Sequence, residues 1–184
     1  MQDWPTRRSI RVPGHDYTSA SAYFVTLCTA DRACIFGEIV DDTPTLSETG
    51  LIVDEEWRRS AHVRRNVTLD AYVIMPNHLH GVLFIADATD RGRASQRLAP
   101  TRTGPRNPAG SLGAVIGQFK SAVTKRVSSR AGASVMVWQR GYYEHIIRDD
   151  NGLDRIRTYI ANNPARWAED PENPNACRST DLPR

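Results

Sequence analysis

A hairpin-like pair of apolar runs constrains the fold more than any other feature of this sequence. Residues 69–75 and 78–85 are rich in β-branched and large apolar side chains, and only Pro76 and Asn77 separate them. Two strands joined by so short a turn pair antiparallel. Helix-like and strand-like segments alternate on both sides of this pair. The pattern predicts an α+β protein, a ferredoxin-like sandwich with a central antiparallel β-sheet and flanking helices.

Periodicity and capping residues predict the remaining elements. Residues 21–29 are predicted as a strand, 35–46 as a hairpin that turns at 41–44, and 138–148 as the last strand. A helix capped by Ser47 runs toward Arg65, and residues 111–129 carry apolar side chains at the helical period. A last helix over residues 152–162 is capped at Asp150 or Asn151 and closed by Pro164.

Length and composition fit a single folded domain. The chain has 184 residues and a mass of 20.6 kDa, with 40% hydrophobic and 24% charged residues, a composition that excludes a disordered chain. We expect one domain over residues 1–184. Within it we expect a basic N-terminal arm (1–18), a flexible loop rich in Arg, Gly and Pro (87–110) and an irregular C-terminal tail (168–184).

The apolar runs and the cysteines predict a cytoplasmic protein without membrane contact. The longest apolar stretch, residues 82–86, is far shorter than the roughly 20 residues that span a bilayer, and the first residues carry no secretory signal. Cys28, Cys34 and Cys177 form no C-x-x-C pair, which argues against a disulfide framework and a cysteine zinc site. Any metal site must therefore use histidine and oxygen or amide ligands.

The charges are distributed unevenly although the net charge is only +3. Ten Lys or Arg residues and no Asp or Glu lie between Arg91 and Tyr143, whereas residues 31–56 hold eight acids and one base. Such asymmetry predicts a basic face that meets a polyanion. A solvated basic loop without a partner is the alternative interpretation.

His78 and His80 are the first candidates for chemistry. Residues two apart in a strand point to the same face, so both imidazoles project from one side while Leu79, Leu83 and Ile85 face the other. Paired imidazoles at this spacing suit a divalent metal. The alternative is a pair of partly buried histidines whose hydrogen bonds are satisfied within the fold.

Tyr159 and Asn163 are the second pair of candidates. Their spacing of four places both on one face of the predicted last helix, one turn apart. The amide oxygen of Asn163 can bind a metal, and the phenol of Tyr159 beside it could attack a phosphorus centre. Ordinary packing and capping are the alternative. Glu144 and His145 precede this helix, and the only role we assign them is support behind the metal ligands.

Several short sequence blocks, taken together in their order along the chain, match the pattern of a known protein family. They are Arg7-Arg8-Ser9-Ile10-Arg11, Ala22-Tyr23-Phe24-Val25-Thr26, residues 73–81 (VIMPNHLHG), Ser111-Leu112-Gly113 with Phe119-Lys120, residues 138–145 (WQRGYYEH) and residues 159–164 (YIANNP). Over roughly residues 7–167, the chain resembles the REP-associated tyrosine transposases. These belong to the single-tyrosine HUH superfamily, in which a hydrophobic residue, here Leu79, separates two histidines.

The resemblance implies a fold, a reaction and a set of site residues. The family fold is a ferredoxin-like sandwich, in agreement with the predicted element order. The implied activity is that of a transposase or endonuclease that cleaves and rejoins single-stranded DNA at hairpin or palindromic repeats through a 5′-phosphotyrosine intermediate. By resemblance, His78, His80 and Asn163 bind Mg²⁺ or Mn²⁺, and Tyr159 is the nucleophile. Some insertion-sequence relatives carry Gln where this chain has Asn163.

The resemblance also gives the basic segments a role in binding DNA. The expected DNA-binding residues are Arg7, Arg8 and Arg11 for a short guide sequence beside a hairpin, and Lys120, Lys125 and Arg126 for phosphates. The Arg-rich stretch 91–106 would wrap the strand. We expect a DNA-associated bacterial protein, either a monomer or a homodimer.

Two other functions compete with this one. A non-catalytic module with an RRM-like sheet would stack bases on Tyr23 and Phe24, but it leaves the two histidines, Tyr159 and Asn163 without a purpose. A replication-initiator or relaxase-type HUH nuclease would perform similar chemistry during plasmid mobilisation. The small size and the YIANNP block favour the transposase branch.

Overall fold

A computed structural model describes residues 21–86 and 110–176 of the chain. The strands in these ranges are β1 (Ser21–Cys28), β2 (Gly37–Val40), β3 (Thr43–Leu46), β4 (Val67–Met75), β5 (His78–Ile85) and β6 (Tyr143–Ile147). The α-helices are α1 (Glu48–His62), α2 (Leu112–Ala131) and α3 (Asp150–Asn162). Short 3-10 helices cover Ala30–Arg32 and Pro164–Glu169.

Four strands form one antiparallel sheet in the order β4-β5-β1-β6. The strand β1 pairs with both β5 and β6, and β4 pairs with β5 across the turn at Pro76 and Asn77. The strands β2 and β3 form a separate hairpin that turns at Asp41 and Asp42, which have φ of 47° and 58°. The predicted ferredoxin-like α+β fold is confirmed.

One face of the sheet is covered by α1 and α2. Tyr23 and Val25 of β1 and Leu79 of β5 point to this face and are fully buried there. The rings of Trp57 from α1 and Phe119 from α2 pack edge-to-face above them, with centroids 5.2 Å apart. This layer forms the main apolar core of the described residues.

The opposite face of the sheet is covered by α3. Phe24 of β1 and Val82 of β5 point to this face, because side chains alternate along a strand. Leu153, Ile156 and Ile160 supply the apolar side of α3 that packs on them. The last helix therefore lies on the sheet face to which His78 and His80 also point.

Each α-helix in the described ranges begins at a polar side chain. The hydroxyl of Ser47 accepts a hydrogen bond from a backbone N–H group of α1, as predicted, and the hydroxyl of Ser111 caps α2 in the same way. The predicted cap of the last helix at Asp150 or Asn151 is wrong. Asp149 has the extended backbone of a cap, and its carboxylate accepts from the N–H group three residues on at 2.6 Å.

The last strand is shorter than the predicted run over residues 138–148. Trp138 forms an isolated bridge to Thr29, and the chain then turns at Gly141 with φ of 79° before β6 begins. Glycine adopts this left-handed conformation without steric cost. The turn at Gly141 therefore divides the predicted strand.

Several predictions fall wholly or partly outside the described residues. The arm over 1–18 with Arg7, Arg8 and Arg11, residues 87–109 of the predicted loop, and residues 177–184 of the tail lie there. The 3-10 helix over Pro164–Glu169 reaches the first two residues of the predicted tail. No helix in the described ranges is long and apolar enough to cross a membrane.

Candidate active site

His78 and His80 lie side by side on the sheet face that α3 covers. Both belong to β5, and their side chains are 0% and 3% exposed. Leu79 between them points into the opposite core, as the strand alternation predicts. The two Nε2 atoms are 3.0 Å apart. The structure thus aims the same nitrogen of each ring at one point.

The other nitrogen of each ring is held by a neighbouring side chain. Nδ1 of His78 lies 2.9 Å from the amide oxygen of Asn77, and Nδ1 of His80 lies 2.9 Å from the hydroxyl of Thr26. Metal-binding histidines are usually oriented by such contacts on the nitrogen that does not bind the ion. The Nε2 atoms are therefore the nitrogens that a metal ion could reach.

Asp170, which the sequence did not predict as a ligand, completes a group of three side chains whose donor atoms suit a metal ion. Its Oδ2 lies 3.8 Å from Nε2 of His78, and its Oδ1 accepts from the N–H of Glu172 at 2.7 Å. Ligand atoms of His78, His80 and Asp170 all lie within 4.8 Å of one another, and the three residues are buried. Burying a carboxylate costs free energy unless a cation or hydrogen bonds offset it.

Asn163 lies at the end of α3 beside this group and is 4% exposed. Its Nδ2 donates to Oδ2 of Asp170 at 3.2 Å. Since an ionised carboxylate can only accept, this contact fixes which end of the amide is nitrogen. The amide oxygen is buried and has no hydrogen-bond partner among the described residues. An orphaned acceptor of this kind is suited to a cation.

The hydroxyl of Tyr159 lies 3.2 Å from Nε2 of His80. The residue is 42% exposed, and its ring packs edge-to-face against Phe24 with centroids 6.1 Å apart. It precedes Asn163 by one turn of α3. The structure therefore brings all four residues of the two predicted pairs into one cluster, with the phenol at its solvent-facing side.

Burial keeps both imidazoles neutral at physiological pH. It lowers the pKa of His78 and that of His80 from 6.5 to about 3. Burial also raises the pKa of Tyr159, so this phenol is protonated in the resting protein. Neutral imidazole is the form that binds metals.

The two predicted supporting residues are neighbours in β6, and their side chains point to opposite faces of the sheet. His145 pairs with Phe24 and is exposed on the α3 side of the sheet, whereas Glu144 pairs with Val25 and points to the α1 and α2 side. The structure therefore does not bring Glu144 to the histidine pair. Tyr143 pairs with Thr26, the strand neighbour of His80, and so lies on the face of the candidate site.

The helix α2 carries the three predicted phosphate-binding residues on the opposite side of the sheet from His78. Nζ of Lys120 donates to the backbone carbonyls of Gln139 and Gly141, and burial lowers its pKa to about 8. Arg126 forms ion pairs with two acids of α1. Lys125 is exposed.

The aromatic pair of the RRM-like alternative is covered by helices. Tyr23 is fully buried beneath α1 and α2, while Phe24 is 8% exposed and packs under α3. The two side chains point to opposite faces of the sheet. Neither forms the open platform that base stacking needs.

The chain is similar to known proteins both in its sequence and in its fold. No protein-family model matches the chain. An uncharacterized protein of Haemophilus influenzae is 36% identical over 167 residues, which are 89% of this chain and 91% of the relative. A solved REP-associated tyrosine transposase bound to a REP hairpin is 15% identical, with a TM-score of 0.54 over 90% of this chain and 74% of that one. The chain therefore belongs to the same family as the Haemophilus influenzae protein, and its fold is that of a REP-associated tyrosine transposase.

Proposed function

We propose that this protein is a metal-dependent transposase or endonuclease that cleaves and rejoins single-stranded DNA through a 5′-phosphotyrosine intermediate. The observation that carries the proposal is the position of the Tyr159 hydroxyl, 3.2 Å from Nε2 of His80, which itself lies 3.0 Å from Nε2 of His78. The fold relative, solved with a REP hairpin, supports hairpin DNA as the substrate class.

The candidate cluster has the donor atoms that a divalent cation requires. Nε2 of His78, Nε2 of His80 and Oδ1 of Asn163 would hold Mg²⁺ or Mn²⁺, with a carboxylate oxygen of Asp170 close enough to join them. Amide and carboxylate oxygens suit both Mg²⁺ and Mn²⁺, and imidazole is the commonest side-chain ligand of metals in proteins. When bound, such an ion polarises the scissile phosphate and stabilises the charge that develops on it.

Tyr159 would act as the nucleophile on that phosphate. Its oxygen forms a bond to phosphorus while the bond from phosphorus to the 3′ oxygen breaks, so the products are a 5′-phosphotyrosine and a free 3′-hydroxyl. The phenol proton passes to water, which reaches the half-exposed ring, and the departing 3′ oxygen takes a proton from water. The covalent bond conserves the phosphodiester energy. A 3′-hydroxyl can therefore reverse the step and join strands without ATP.

Basic residues would bind the DNA backbone away from the chemistry. Lys125 is the exposed candidate on α2, since Lys120 and Arg126 are already engaged with carbonyls and acids of the protein. Arg7, Arg8 and Arg11, which lie outside the described residues, remain proposed contacts for a guide sequence. Phosphate contacts fix the register of a protein on DNA without selecting a base sequence.

A cleavage assay on labelled hairpin DNA tests the proposal. Single-stranded DNA from the flanks of the gene, incubated with Mn²⁺ and run on a denaturing SDS gel, should give a protein–DNA adduct and a shortened strand. The double variant His78→Ala/His80→Ala, or excess EDTA, should abolish both products while DNA binding is largely kept. Full cleavage in the double variant or in EDTA would contradict the proposal.

A further inference from the structure

We propose that Asn77 is a positioning residue that holds His78 as the Nδ1–H tautomer, so that its Nε2 lone pair points at Asp170 and His80. The inference rests on the proposed metal centre, because the tautomer decides whether Nε2 can bind an ion. The residue precedes His78 directly and is fully buried.

The orientation of the Asn77 amide is fixed by two backbone carbonyls. Its Nδ2 donates to the carbonyl of Arg32 at 3.1 Å and to that of Glu172 at 2.6 Å. A carbonyl oxygen only accepts, so the end of the amide that faces both of them must be the nitrogen. The remaining end, 2.9 Å from Nδ1 of His78, must be the oxygen.

An amide oxygen also only accepts, and the proton of this contact therefore belongs to His78. With Nδ1 protonated, Nε2 of the neutral ring carries a lone pair and no proton. The hydroxyl of Thr26 beside His80 is different, because a hydroxyl can either donate or accept. The tautomer is thus imposed at His78 and left adaptable at His80.

Asn77 also connects His78 to the segment that carries Asp170. Its bond to the carbonyl of Glu172 anchors the residues that follow Asp170, and Arg32 strengthens this anchor through an ion pair with Glu172 at 3.0 Å. One buried side chain therefore orients a candidate ligand from β5 and helps to place another from a segment 92 residues further along the chain. Contacts of this kind behind metal ligands commonly set metal affinity.

The first test measures the tautomer in the unmodified protein. In ¹H–¹⁵N NMR spectra of histidine-labelled, metal-free protein at pH 7, His78 should show a protonated Nδ1 and an unprotonated Nε2. A proton on Nε2 of His78 would overturn the proposal, whatever any variant does.

Two variants at Asn77 separate the role in orienting His78 from a purely structural one. Asn77→Leu keeps the volume but removes the acceptor, so His78 should lose its single tautomer and Mn²⁺ affinity should fall by about 10–100-fold. Asn77→Asp keeps an acceptor oxygen but loses both donors, so the Nδ1–H signal should remain, and Mn²⁺ affinity should fall less than in Asn77→Leu because only the bonds to the carbonyls of Arg32 and Glu172 are lost. Equal losses in the two variants, or an unchanged Asn77→Leu protein, would contradict the proposal.

A matched control is available in the same part of the fold. Asn173 donates from Nδ2 to the carbonyl of Trp167 at 2.8 Å, and among the hydrogen bonds of the described residues none joins it to His78. Asn173→Leu should leave the His78 tautomer and the Mn²⁺ affinity unchanged, and a change in either would count against the assignment. None of these measurements uses DNA, so an intact tautomer with no DNA cleavage would contradict the proposed function and not the role of Asn77.

Discussion

The phenol of Tyr159 and the imidazole of His80 meet across the boundary between α3 and β5, with their polar atoms 3.2 Å apart. The contact joins residues that are 79 positions apart in the chain. Because Tyr159 and Asn163 share one rigid helix, any shift of α3 moves the hydroxyl and the amide together relative to the histidines. The packing of α3 on Phe24 and Val82 therefore sets the geometry of the whole cluster.

Unfolding stability should depend steeply on pH because of the two buried imidazoles. In the folded protein they stay neutral down to a pKa of about 3, whereas in the unfolded chain they take up protons below about 6.5. The unfolded state therefore binds more protons between these pH values. The free energy of unfolding should fall as pH drops through this window, by up to about 1.4 kcal/mol per pH unit for each ring.

Urea unfolding at pH 7 and pH 5 measures this effect. The His78→Ala/His80→Ala variant should lose less stability over the same interval than the parent protein. Equal losses in the two proteins would show that these rings do not titrate as their burial requires.

Asp170→Asn should separate metal affinity from stability. The neutral amide is a weaker ligand, so Mn²⁺ affinity should fall on the order of 10–100-fold. The stability of the metal-free protein should change by no more than about 1–3 kcal/mol, because the change removes a buried charge but leaves either the N–H of Glu172 or the amide of Asn163 without its acceptor.

Mn²⁺ titration by electron paramagnetic resonance and thermal unfolding check the two parts of this prediction. Glu169→Gln is the control, since that neighbouring carboxylate is 75% exposed and its ion pair among the described residues is with Arg166 at the surface. Unchanged Mn²⁺ affinity in Asp170→Asn would remove Asp170 from the proposed site.

Lys125 and Arg126 should respond differently to substitution although they are adjacent on α2. Lys125→Ala should weaken binding to single-stranded DNA and reduce the slope of log affinity against log salt by about 1. Arg126 instead pairs with Glu56, which is 5% exposed, at 3.0 Å. Arg126→Ala should lower stability by about 1–3 kcal/mol and leave the salt slope unchanged.

Fluorescence anisotropy between about 50 and 200 mM salt measures the slopes. Binding of the parent protein should weaken steeply over this range. If the affinity of the parent protein did not change with salt, the basic segment would be better explained as a solvated surface without a partner.

Gly81 should be intolerant of any side chain. A Cβ at this position would lie 2.5 Å from the Cζ2 atom of Trp57, so Gly81→Ala should destabilise the protein by about 1–3 kcal/mol through overpacking. Gly117 in α2 has open space at the same position, and Gly117→Ala should stabilise by up to about 1 kcal/mol. Thermal unfolding of both variants checks the pair, and equal effects would contradict the packing described around Trp57.

Local periodicity explains why much of the fold and two halves of the site are predictable from the sequence. The alternation of a strand places His78 and His80 on one face, and the helical repeat places Tyr159 and Asn163 on one face. Neither periodicity predicts that the histidine pair and the Tyr159–Asn163 pair are in contact. That contact depends on α3 packing across β5, which only the three-dimensional arrangement of the sheet provides.

Sequence periodicity does not predict Asp170 as a candidate ligand. It lies in an irregular segment with no periodicity, and contacts made by Asn77, Asn163 and Arg32 bring this segment to the histidines. The missed cap at Asp149 has a related cause. Asp149, Asp150 and Asn151 are all residue types that can cap a helix. Residue type alone does not show which of them has the extended backbone of a cap, and in the structure it is Asp149.

Mapping the covalent DNA adduct tests the identity of the nucleophile most directly. Tyr159→Phe removes only the hydroxyl and keeps the ring contact with Phe24, so the fold should survive and the adduct should vanish. Tyr143→Phe is the matched control, because Tyr143 lies on the same sheet face and should leave the adduct in place. Mass spectrometry of the digested adduct should find DNA on the peptide that contains Tyr159. An adduct that persists in Tyr159→Phe, or that maps to Tyr142 or Tyr143, would contradict the account.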